Sequence, residues 1–206
     1  MGETSLKVKK TTSNHIKFVN ALLNDIEALE MMITANLFDS DNIRIGAEQE
    51  VCIVNEDFKP ADNAIDLLDK INHPQFTTEL AKYNIEINLL PQLLQPGCFA
   101  AMENDLLDKF HLAANLAATN NTKLVLAGIL PTISRNEISL EYLTPLERYH
   151  MLSKKLRDIR GRQFDLYLKG VDELHIRHDS IMFEACNTSF QTHLQIAHDE
   201  FVPAYN

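Results

Sequence analysis

The sequence predicts an α+β domain with a largely antiparallel sheet, and three patterns predict it. Residues 43–54, 84–89 and 188–196 alternate apolar and polar side chains, the period of a strand with one face inward and one outward. Stripes at three- and four-residue spacing lie before and between them. The order breaks a strict strand-helix-strand rhythm, so antiparallel pairing with helices on one face is favoured over a doubly wound parallel sheet.

Along the chain, Ile16, Val19, Leu22, Leu23, Ile26, Leu29 and Ile33 form the first amphipathic helix, with Ser13 or Asn14 as its expected cap and packing as its expected role. The first strand points Ile43, Ile45, Ala47, Val51 and Ile53 one way and Arg44, Gly46, Glu48, Glu50 and Cys52 the other; Gln49 is the exception on the apolar side. Asn55, Glu56, Asp57 and Pro60 mark a turn, and Ile65, Leu67, Leu68 and Ile71 a short helix. In the second strand Ile85, Ile87 and Leu89 oppose Asn84, Glu86 and Asn88, and Pro91 ends it. Phe99, Met102, Leu106, Phe110, Ala113 and Ala117 form a long helical stripe, and residues 123–127 a short strand. Thr144, Pro145 and Glu147 read as a capped helix start with threonine as the cap, and the helix should end near Gly161. The third strand sets Phe190, Thr192, Leu194 and Ile196 against Ser189, Gln191, His193 and Gln195.

Composition bounds the function. The 206 residues include 19 basic and 29 acidic side chains, a formal net charge of −10, and 45% are hydrophobic. A chain of this kind buries a core and is not disordered throughout. Its pI of about 5.2 argues against bulk nucleic-acid binding, which needs a positive footprint. The lysines of residues 1–10 precede a polar stretch rather than the apolar core of a secretory signal. No apolar run approaches the roughly 18 residues of a membrane span. Cys52, Cys98 and Cys186 are odd in number and widely spaced, which fits neither a disulfide framework nor a paired-cysteine metal site, so a cytoplasmic setting is expected.

The chemistry concentrates on the polar strand faces. Glu48 and Glu50, two apart on one strand, project their carboxylates to the same side about 7 Å apart and repel unless a cation lies between them. Glu86 and His193 join them if the faces are shared, and hard divalent ions such as Mg²⁺ take carboxylate oxygens while leaving positions for phosphate. Gly46 on that face would leave room for a ligand. Polar alternation also marks any antiparallel sheet with one wet face; three carboxylates, a histidine and amides without the usual lysines and threonines favour the site.

Four ordered segments resemble a known family. Ile45-Gly46-Ala47-Glu48-Gln49-Glu50 resembles the G-x-E-x-E strand of the glutamate-cysteine ligase family, in its second, carboxylate-amine ligase branch. Thr77-Thr78-Glu79-Leu80 with Ile85-Glu86-Ile87-Asn88 is similar to its paired acidic segment, Leu143-Thr144-Pro145 with Arg148-Tyr149 to its T-P-x-x-R-Y segment, and residues 185–195 to its strand bearing glutamine and histidine. The resemblance covers Ile43 onward, so that residues 1–40 form an amino-terminal helical segment and 41–206 the amino-terminal part of the catalytic domain. It implies a glutamine-synthetase-like sheet, completed by strands and basic residues beyond Asn206 because the family's domain is longer.

The resemblance further implies ATP-dependent phosphorylation of the γ-carboxylate of glutamate and attack on the acyl phosphate by the amine of cysteine, with Mg²⁺ or Mn²⁺ holding the phosphates. By position Glu48, Glu50 and Glu86 become metal ligands, with Glu50 and Glu86 catalytic; His193 becomes a metal or phosphate contact, Gln191 and Arg148 contacts to nucleotide or substrate, and Glu79 a weaker member. Another amine acceptor, or a noncatalytic binding domain on the same sheet, are the competing readings.

Other signals are weaker. Lys154, Lys155, Arg157, Arg160 and Arg162 follow Arg148 and can meet an anion or simply complement a helix C-terminus. His175, His178 and Asp179 lack a second ligand cluster for zinc. Cys52 lies among carboxylates, which raise a thiol pKa and disfavour nucleophilic use. Gly128 and Pro131 read as a turn, since no phosphate-loop pattern is present.

Overall fold

Strand β1 (Arg44–Val54) runs through the middle of the sheet and takes partners on both edges. The computed structural model describes residues 12–178 and 180–206. β3 (Asn84–Asn88) and then β4 (Gln92–Leu93) lie along one edge of β1; β8 (Phe190–Leu194) and then β5 (Lys123–Val125) lie along the other, and β2 (Phe76–Thr78) extends the sheet beyond β3. Every pairing is antiparallel, so the predicted class is observed.

Odd-numbered positions of β1 face the main core. Ile45, Ala47, Val51 and Ile53 pack with Ile85 and Ile87 under α2 (Ala64–Ile71) and α3 (Cys98–Ala118), which contribute Leu67, Ile71, Met102, Ala113 and Ala117. Each fully buried aliphatic side chain of this set stabilises the fold by about 1.5–3 kcal/mol. Helix α2 ends where Asn72 turns to φ 42 and returns its N–H to the Leu68 carbonyl, the left-handed stop that asparagine tolerates. Gln49, the polar exception, bonds the carbonyls of Glu50 and Ser189 through its amide.

The opposite face is not wholly wet. Beyond Glu50 the even positions become Cys52 and Val54, which are buried with Leu130. A second cluster of Tyr83, Leu143, Met182 and Ala185 closes that end, using a 3-10 turn (Leu140–Tyr142) and the short α5 (Met182–Ala185). The carboxylates therefore occupy a strip bounded at one end by packed side chains.

Three local expectations are corrected, and one element is added. Helix α4 spans Glu147–Arg160, capped by Leu146 in extended backbone with no side-chain bond. Thr144 is not its cap: Leu80 accepts the Thr144 N–H at 2.8 Å and the Glu79 carbonyl accepts its hydroxyl at 2.6 Å, tertiary partners that outcompete a local cap. Gly161, at φ 68, ends the helix as expected. Helix α1 (Thr12–Thr34) begins before Ser13 and Asn14, which lie in its first turn; its apolar residues from Ile16 to Ile33 are exposed, so it does not pack on the core. A two-stranded ribbon, β6 (Phe164–Lys169) with β7 (Glu173–His178), stands apart from the sheet; its signal was the alternation of Phe164, Leu166 and Leu168, then Leu174 and Ile176. α6 (Phe201–Tyr205) closes the element order.

The three cysteines are buried and free. No described helix is long and apolar enough to cross a membrane. The lysines of residues 1–10 and Asp179 lie outside the described residues.

Candidate metal centre

The registers decide which side chains meet. β3 sets Asn88 opposite Glu48, Glu86 opposite Glu50 and Asn84 opposite Cys52; β8 sets Gln191 opposite Glu48 and His193 opposite Gly46. Partners across an antiparallel pair share a face, so the carboxylates of Glu50 and Glu86 are direct cross-strand neighbours. Like charges placed so are destabilising. Glu79, just past the end of β2, adds a third: Glu50, Glu79 and Glu86 can each offer an oxygen within 4.8 Å of the others, all half-buried.

Each carboxylate is held. Glu50 accepts the Ser189 N–H at 2.7 Å, the Ser189 hydroxyl at 3.3 Å and the Gln191 amide at 3.4 Å. Glu86 accepts the Asn88 amide at 2.7 Å. Glu79 accepts its neighbour Leu80 N–H at 3.2 Å, while Thr144 fixes its backbone from the far side. Bonds between Lys82 N–H and Tyr142, and between Thr144 N–H and Leu80, tie residues 142–144 along residues 80–82, so the segment preceding α4 sets where Glu79 sits.

The crowding shows in the protonation. Burial, then a hydrogen bond to Glu86 and that group's charge, push the Glu79 carboxyl up to about 8. Burial also raises Glu50, with the charges of Glu86 and Glu184 adding to the rise and the Ser189 bonds opposing it. At neutral pH Glu79 keeps its proton and bonds Glu86, and the three carboxyls offer oxygen donors that a hard cation can take in place of that proton.

The expected residues divide into two groups. Glu50 and Glu86 come together, and Glu79, expected as a weaker member, joins them from the end of β2, on the Glu86 side. Glu48 pairs instead with His193, whose Nε2 lies 3.6 Å from Glu48 Oε2. These two line a neighbouring cavity of about 600 Å³ with Arg44, Gly46, Asn88 and Pro91. Gln191 bridges the groups through Glu50. Arg148 lies over the Tyr149 ring, 4.5 Å from its centroid, and donates to the Tyr149 hydroxyl at 2.6 Å; that hydroxyl in turn donates to the Thr78 carbonyl at 3.1 Å. The guanidinium is thereby held against the strand that leads into Glu79, with its Nε buried and unpaired.

Ser189 is the contact not singled out as a site residue. Its place beside Gln191 at the start of the third alternating segment was the available signal. Burial holds the Cys52 thiol above its ordinary range, with the Glu50 charge adding to it, so Cys52 is a packed side chain. His175 and His178 fall on opposite faces of β7; the first contacts Asp165 and the second accepts the Ser180 hydroxyl, so they do not share a site. Lys154 pairs with Asp158 at 3.1 Å and Arg160 lies over Phe164.

Comparison of the chain with family models, curated proteins and solved structures finds no match.

Proposed function

We propose that the chain is an ATP-dependent carboxylate-amine ligase of the glutamate-cysteine ligase type, built on a glutamine-synthetase-like sheet and using Mg²⁺ or Mn²⁺. The observation that carries this reading is the half-buried set of Glu50, Glu79 and Glu86, three carboxylates within 4.8 Å on three adjoining segments. Such a set offers a hard cation three oxygen donors in place of the proton that otherwise relieves their crowding.

A bound divalent ion supplies charge neutralisation for polyphosphate as the γ-phosphoryl group moves. The chain's residues do the rest. Ser189 and Asn88 orient the oxygens of Glu50 and Glu86, so the donors are preorganised. Glu79 would give up its proton to a bound cation. Glu48 and His193 border the adjoining cavity, where nucleotide or substrate amino acid has room beside Gly46; Gln191 bonds Glu50 next to it, and Arg148 presents its guanidinium from the segment that positions Glu79. Glutamate and cysteine are the proposed substrates; γ-glutamyl product analysis with several amines distinguishes cysteine from another acceptor.

The test is calorimetric titration of the folded chain with ATP, with and without Mg²⁺, beside Glu50→Gln. Binding that requires both the metal and Glu50 is expected. Metal-independent binding, or none by the folded chain, counts against the reading.

A further inference from the structure

Helix α1 carries an apolar face that no packing among the described residues covers. Over its 23 residues the helix is about 34 Å long, and Val19, Leu22, Ile26, Leu29 and Ile33 follow one another at spacings of three, four, three and four. That is the heptad seam of a coiled coil. All five are exposed, Val19 least at 37% and Ile26 most at 52%. Helices in proteins gain most of their stability from packing an amphipathic face, so the seam calls for a partner.

We infer that α1 pairs with α1 of a second copy as a parallel, two-stranded coiled coil. The identity of the seam residues selects this arrangement. The first heptad position holds Val19, Ile26 and Ile33, all β-branched, and the fourth holds Leu22 and Leu29, the combination that favours two parallel strands. Area supports it as well. A specific interface takes about 800 Å² from each partner; the seam, its flanking apolar residues Ile16, Phe18, Leu23 and Met32, and the wall below it leave exposed area of that order. At its carboxyl end the seam opens into an apolar groove of about 600 Å³, lined by Leu29, Ile33, Phe38, Ile196, Phe201 and Val202, which continues the surface onto the body of the chain.

Charge argues against a membrane as the occupant. The polar positions Asp25, Glu27 and Glu30 outnumber Lys17, whereas helices that lie on anionic bilayers are basic there. Charge also supplies a probe of the register. In a parallel pair Asp25 of one helix faces Glu30 of the other across the edge of the seam, a repulsion that the apolar seam outweighs and that a single substitution inverts.

Sedimentation equilibrium of the full chain across the micromolar range tests the inference. The expected species has twice the 23.4 kDa mass of one chain. Ile26→Asp should raise the dimer dissociation constant by at least about tenfold without lowering the melting temperature of the sheet core, because Ile26 touches none of it. Glu30→Lys should tighten the dimer several-fold at low salt, an effect lost at high salt. A monomeric wild-type chain, a Glu30→Lys dimer that loosens, a dimer indifferent to Ile26→Asp, or a monomer that floats with phosphatidylserine vesicles would each overturn it.

Discussion

Ser189 donates its backbone N–H to Glu50 Oε2 at 2.7 Å, joining the strand after α5 to the central strand at the point where two glutamates face each other. The bond needs an oxygen, not a charge. In Glu50→Gln the amide oxygen keeps the Ser189 bond, and the repulsion with Glu86 disappears. The melting temperature should therefore stay level or rise, while Mn²⁺ affinity, followed by electron paramagnetic resonance, falls at least about tenfold as one anionic donor is lost. Lys154→Gln, which breaks only an exposed pair with Asp158, should leave affinity unchanged. Equal losses in the two variants would remove Glu50 from the centre.

Stability should fall as pH rises from about 4.5 to about 8. Glu79 has an unfolded value near 4.5 and a folded value near 8, so the folded chain binds the extra proton in that window. Linkage then gives a stability contribution fully present below the lower value and lost on passing the upper one. Glu50 is raised as well and acts in the same direction. Urea unfolding of Glu79→Gln at pH 8 should show a gain of roughly 1–3 kcal/mol and a flatter pH profile. Mg²⁺ should flatten the wild-type profile too, since it takes the deprotonated form. A wild-type profile that rises through this window would refute the crowded-carboxylate account.

Thr144 is fully buried and its hydroxyl holds the Glu79 carbonyl at 2.6 Å. Replacing it with valine keeps the shape and leaves the half-buried Glu79 carbonyl without this donor, a cost of about 1 kcal/mol. Thr144→Ser retains the donor and should recover part of the loss. Because the bond positions Glu79, Thr144→Val should also weaken Mn²⁺ binding more than a remote variant of equal destabilisation. Loss of stability with full metal affinity would confine Thr144 to packing.

The faces of the three alternating strands were legible because a period of two needs only side-chain polarity, and it placed Glu48, Glu50, Glu86, Gln191 and His193 on polar faces. Register was not legible. Whether Glu86 meets Glu50 or Glu48 depends on where β3 slides along β1, and periodicity is blind to a shift by two. Glu79 follows a strand of only three residues, too short to show a period, so only the resemblance pointed to it. Thr144, Pro145 and Glu147 satisfy the local grammar of a helix start, yet pairing with residues 79–80 claims the threonine first. The exposure of α1 was hidden for a different reason: an amphipathic stripe reads the same whether its partner is its own core or another surface.

Gly46 separates folding from ligand use at the adjoining cavity. It is buried on the carboxylate face, and an added Cβ would meet Pro91 no closer than 3.7 Å, ordinary van der Waals contact. Its backbone is regular strand within β1, so alanine fits and loses less entropy on folding. Gly46→Ala should leave unfolding free energy within about 0.5 kcal/mol of wild type or slightly above it. If the glycine lets a ligand approach the strand beside Glu48 and His193, the same methyl group must lower affinity for Mg²⁺-ATP or glutamate in calorimetry. Destabilisation by more than about 1 kcal/mol would instead assign Gly46 to the fold. Unchanged binding with unchanged stability would move the ligand away from this wall of the cavity and toward Glu50, Glu79 and Glu86.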